Sequence, residues 1–110
     1  MIVNDILITT QDEFNDYKII KTIGIVKGNT IRARNIGKDI MAGLRSIVGG
    51  EIEEYTKVFA EAREQAIDRM VEDAKKQGAE AIVCMRLTTS TVMQGAAELL
   101  AYGTGVILDK

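Results

Sequence analysis

The sequence has one cysteine, five methionines and no histidine, so its ligand and nucleophile chemistry has to begin at Cys84. A thiolate with the thioethers of Met85 or Met93 would suit a soft ion, and symmetry in a ring of copies could bring several Cys84 side chains together. Closed zinc sites nevertheless want four ligands, mostly Cys and His. Cys84 and Met85 also sit side by side in a run that reads as a strand, which turns them to opposite faces. The ligand count favours a buried Cys84 acting as a small hydrophobe; soft-metal binding through Cys84 and Met sulfurs is the alternative. Covalent catalysis fares no better. A Ser46 or Cys84 nucleophile has no imidazole to activate it, and no motif sets a Lys or carboxylate beside either, so an enzyme is the least supported class.

Charged residues offer a second kind of site. Glu51, Glu53 and Glu54 could hold a hard cation, but they crowd the start of a long helix, where they complement the partial positive charge of its N-terminus. Gly49-Gly50 before that start could present backbone N–H groups to an anion. The run lacks the Walker lysine and the strand that precedes a dinucleotide-binding turn, so a helix-to-helix turn is the plainer role, and the neighbouring acids would repel phosphate. Arg63 falls within the apolar arc of the long helix, between the directions of Met70 and Ala74. A guanidinium there must snorkel to water or find a carboxylate. We expect it to meet Asp39, across the helical hairpin or across a subunit boundary, in a desolvated pair that sets the angle between two helices; the same pair would suit a ligand pocket. Arg45, opposite the apolar stripe of the shorter helix, is left for a neighbouring chain or a pore lining.

The elements that position these residues follow from periodicity. The long helix runs from Glu51 to Gly78, with Lys75 and Lys76 near its end and Gly78 suited to the left-handed conformation that closes a helix. Its apolar arc, from Val58, Ala62, Tyr55, Ala66 and Phe59 round to Met70, Ala74, Ile67 and Val71, is wider than one sheet usually covers, and a second copy of the chain is the simpler cover. A shorter helix over Ile36 to Ile47 is capped by Asn35, with Ile36, Ile40, Leu44 and Ile47 on one face. Strands are expected over Ile6 to Thr10, Tyr17 to Arg34, Ala81 to Val92 and Glu98 to Leu108. Gly28-Asn29 reads either as a hairpin turn or as a kink in one long strand, and the short return strand favours the second. In the third strand Ala81, Val83, Met85 and Leu87 are the expected core face. In the last, Gly103 and Gly105 share a face with Ala101 and imply that something packs close against it.

Composition bounds the partners. At 110 residues, 46% hydrophobic and 27% charged, the chain reads as one globular domain over 1–110. A net charge of −2 with both signs interspersed, no basic stripe and no aromatic platform argue against nucleic acid. No apolar run is long enough to span a membrane, and the N-terminus lacks the pattern of a signal peptide. The cytoplasm is the expected location.

Asn35-Ile36, Asp39, Ala42-Gly43, Arg45, Val48-Gly49-Gly50, Tyr55, Ala62-Arg63, Ala66, Gly78-Ala79 and Ala81-Ile82-Val83 resemble the YbjQ-like family of small bacterial and archaeal proteins. The resemblance starts near Ile6 and covers nearly the whole chain. It implies an α+β fold, a mostly antiparallel sheet packed on a helical segment of a short and a long helix, with dodecin-like subunit topology. It also implies a ring-shaped homo-oligomer, a pentamer, agreeing with the wide apolar arc. The family's biochemical function is uncharacterised and its usual label is heavy-metal binding. The sequence thus leaves a non-enzymatic, homo-oligomeric module for a small ligand or ion, with soft-metal binding as the alternative.

Overall fold

The structure, a computed structural model, describes residues 1–32, 53–93 and 96–109. Strands β1 (Ile2–Val3), β2 (Ile6–Ile8) and β3 (Lys18–Arg32) precede helix α1 (Glu53–Lys76), and β4 (Ala81–Met93) and β5 (Ala96–Asp109) follow it. The expected short helix, with Asp39, Arg45 and the Gly49-Gly50 turn, lies outside the described residues, as does Glu51. The fold is α+β: a five-stranded mixed sheet in the order β1-β2-β4-β5-β3, parallel only between β2 and β4, with α1 against one face.

Local chemistry accounts for the boundaries. Asn4 and Asp5 both take positive φ, 47° and 71°, and join β1 to β2 through a two-residue turn of the mirror-image type that matches strand twist. The sequence reading missed that hairpin, although Asn-Asp between apolar residues is its signature. At the other end of α1, Gly78 has φ 83°; its N–H donates to Lys75 O, and that of Ala79 to Ala74 O. This pair of bonds is a Schellman closure, with Ala74 and Ala79 supplying the apolar contact that goes with it.

β3 is one continuous strand, paired with β5 from Lys18↔Asp109 to Arg32↔Ala97, so Gly28 makes no turn. Its role is packing. A Cβ on Gly28 would overlap the backbone of α1 at Met70 N and Ala66 O and lie 2.6 Å from Arg69 C. The sheet and helix meet there backbone to backbone. Ala62, Ala66, Met70 and Ala74, all fully buried, line the contact, and Thr30 Oγ1 donates to Ala62 O across it at 3.2 Å.

Two expectations about faces are corrected. The proposed core face of β4 is split by a bulge, because the register jumps between Val83 and Arg86 and Cys84 adopts φ 57°. An extra residue in one strand resets the alternation. Ile82 and Met85 therefore pack toward α1, while Ala81, Val83 and Cys84 join Val106 and Leu108 in a second cluster on the opposite face, with Phe14 packed against it. The second correction concerns the wide arc of α1. From Ala62 onward it is covered within the chain: Ile67 and Val71 are buried in one cluster with Ile6 and Ile8 of β2, and Val3 of β1 packs against it. Among the described side chains of the arc, Val58, Phe59 and Ala60, near the start of the helix, stay half-buried. Gly103 and Gly105 do face a close approach, but what meets them is chiefly Ile82 and Val83 of the neighbouring strand and Ala79 and Val26.

Candidate functional site

Cys84 is the natural starting point, because the resemblance carries a heavy-metal label. The bulge holds it half-buried, with its N–H donating to Gln11 O at 2.9 Å and its side chain against the apolar cluster of Ala81, Val83, Val106 and Leu108. Met85 packs into the cluster on the helix side. The nearest sulfur in sequence is thus across the sheet, and no group of three Cys, His, Asp or Glu side chains converges among the described residues. Soft ions need several soft donors on one side of the ion. The donors among the described residues of one chain do not fit a heavy-metal site.

A different surface is better defined. Beyond the cluster under Phe14, the face of the β4-β5-β3 ribbon that looks away from α1 carries successive cross-strand rows: Ile25, Thr104 and Val83, then Lys27, Tyr102 and Arg86, then Asn29, Leu100 and Thr88, then Ile31, Glu98 and Ser90. Ile25 is 73% exposed, Ile31 57% and Tyr102 39%. Two β-branched residues so open on a sheet face are an anomaly for a finished surface, since the strand interior is where such side chains pack. The molecule measures 54 × 25 × 19 Å with a radius of gyration of 16.8 Å, against about 13 Å for a compact chain of this size. The ribbon is long for the core it covers.

Beside that face, at the outer edge of β3, lies a groove of about 650 Å³ between strand and helix. Lys27, Arg69 and Lys76 balance Glu72, Asp73 and Glu98 around it. Several of these groups are engaged in the chain's own bonds: Asp73 Oδ2 accepts from Lys27 N at 2.9 Å, Asn29 Nδ2 donates to Glu98 Oε2 at 3.0 Å, and Arg69 Nη1 donates to Asn29 O. The residues lining the groove carry no net formal charge.

Of the residues singled out from the sequence, Arg63, Cys84 and Met85 have described side chains, and Glu53, Glu54 and Met93 lie within the described backbone. Arg63 lies one turn before Ile67 on the same stripe but is exposed in the single chain, so it snorkels rather than standing desolvated there. Asp39, Arg45, Gly49 and Gly50 lie outside the described residues. Sequence reasoning missed Ile25, Ile31 and Tyr102 as a shared surface. The alternation of β3 signalled that both its faces carry apolar side chains, but not that only one of them receives the helix.

Comparison with known proteins finds similarity along nearly the whole chain. A family model described as "Putative heavy-metal-binding" matches residues 6–109. A UPF0145 protein of Dehalococcoides mccartyi is 60% identical over 103 residues, covering 94% of this chain and 99% of the relative. One from Thermus thermophilus is 49% identical over 107 residues, covering 97% and 94%. Among solved structures, a protein of unknown function from the DUF74 family of Pediococcus pentosaceus matches with a TM-score of 0.62 at 16% identity, over 94% of this chain and 98% of that one. At that identity the likeness speaks for the fold alone.

Proposed function

Since the chain belongs to the YbjQ family, we propose that it is a cytoplasmic, non-enzymatic module that assembles with copies of itself into a ring of five dodecin-like units and holds a small ligand or ion between them. The observation that carries this reading is the bare sheet face, with Ile25 73% and Ile31 57% exposed around Tyr102. A second copy suits the face because its charges are mixed: Lys27 and Arg86 flank Tyr102 in one row, and Glu98 follows two rows on. Closed rings join one surface to a different one. The half-buried Val58, Phe59 and Ala60 at the start of α1 supply the second apolar surface. Arg63 stands beside them on the helix, where a neighbouring copy would desolvate it against Asp39 or a ligand carboxylate.

Native mass spectrometry of protein purified without added metal tests the reading, alongside an Ile25→Glu/Ile31→Lys variant. A pentamer with a reproducible excess mass, lost as the variant falls to monomers, is the expected result. A clean pentamer removes the ligand from the proposal. A monomeric parent protein overturns the assembly itself.

A further inference from the structure

β3 is an edge strand, and edge strands invite another strand to pair with them. Three of its outward backbone groups, one each on Ile25, Lys27 and Asn29, are nevertheless occupied. Gln77 Nε2 donates to Ile25 O at 3.1 Å, Asp73 Oδ2 accepts from Lys27 N at 2.9 Å, and Arg69 Nη1 donates to Asn29 O. The partners run in opposite directions, helix positions 69, 73 and 77 against strand positions 29, 27 and 25. The match is geometric. Every fourth residue of a helix advances about 6.0 Å and every second residue of a strand about 6.6–6.8 Å, so the two steps between the three rungs stay within about 1.5 Å of register, an error that side chains absorb. Donors and acceptors also alternate correctly, with two side-chain donors on carbonyls and one carboxylate on the amide between them.

We propose that Arg69, Asp73 and Gln77 act as a surrogate strand that seals the β3 edge between Ile25 and Asn29, and that the occupant they exclude is the same edge of a second copy. That occupant follows from symmetry: two copies of one edge placed antiparallel present complementary N–H and C=O groups to each other. At the opposite border of the sheet β1 is only two residues long, too short to template a partner. Association is thereby directed away from strand edges and toward the sheet face. This last step rests on the assembly proposed above, whereas the seal itself does not.

The test is the Arg69→Ala/Asp73→Ala/Gln77→Ala variant, in which alanine preserves helix propensity, followed by amide hydrogen exchange and sedimentation velocity. The Lys27 amide is expected to exchange at least about tenfold faster than in the parent protein, and a species of doubled mass is expected to grow with concentration. Asp73→Asn, which keeps an acceptor for Lys27 N, should leave both near the parent values. An unaccelerated Lys27 amide or an unchanged size distribution overturns the proposal. The Ile25→Glu/Ile31→Lys background separates the two ideas, because there the face assembly is gone and doubling on unsealing reads the edge alone.

Discussion

Gly28→Ala is a severe test of how the helix is seated, because the added methyl meets backbone and not a movable side chain. At 2.6 Å from Arg69 C the new Cβ would sit about 0.8 Å inside the 3.4 Å of ordinary contact, and Met70 N and Ala66 O would be closer still. Neither atom can swing aside. Relief requires α1, 24 residues long, to lift by about 1 Å along the stretch where Ala62, Ala66, Met70 and Ala74 are fully buried. A radial gap of ~0.5–1 Å forfeits a quarter to a half of each dispersion contact, and overpacking of this kind typically costs about 1–3 kcal/mol. Alanine restricts the unfolded chain more than glycine does, a gain of only ~0.4–1 kcal/mol. With the upper end of that cost, fitting a clash with backbone, the expected net loss is about 2 kcal/mol, or roughly 8 °C in Tm at this size. Urea and thermal denaturation would measure it. A loss below about 0.5 kcal/mol would refute the backbone-to-backbone seating of helix on strand.

Thr30→Val, nearly isosteric, deletes the hydrogen bond from Thr30 Oγ1 to Ala62 O and is expected to cost about 1 kcal/mol in denaturant titration; no change would mean the hydroxyl contributes nothing to the helix–sheet contact. Cys84→Ser should leave Zn(II) and Cu(I) titrations at parent values, since the thiol lies in an apolar cluster across the sheet from Met85, and loss of a stoichiometric site in calorimetry would restore the thiolate reading. Arg63→Ala should cost under about 1 kcal/mol in dissociated chains, where the side chain is exposed. A penalty of about 3–5 kcal/mol in the assembled protein is the expected signature of a desolvated pair across subunits.

What was legible in the sequence was whatever a single element announces by its own period. The 3.6-residue pattern of Ala62, Ala66, Met70 and Ala74 gave α1, and Gly78 its end; the β-branched run around Ile23 and Ile25 gave β3 as one strand. Residues whose meaning depends on the register between elements stayed hidden. Gly28 looked like a turn or a kink because nothing in its neighbourhood says that a helix backbone crosses it. Cys84 looked like one more alternating strand residue because a bulge is a property of the pair β4 and β5, and Gly103, the residue facing the bulge, lies 19 positions away. Arg69, Asp73 and Gln77 were not singled out, because polar residues at four-residue spacing are ordinary on a helix surface. Only when that spacing is laid against alternate residues of β3 do they become a ladder. The same logic extends to the sheet face away from α1: its exposure depends on where the helix packs, which β3 alone does not announce, so Ile25 and Ile31 pass for routine strand residues. Their exposure becomes informative once α1 is seen to occupy the other face, which is what makes them candidates for the contact between copies proposed above.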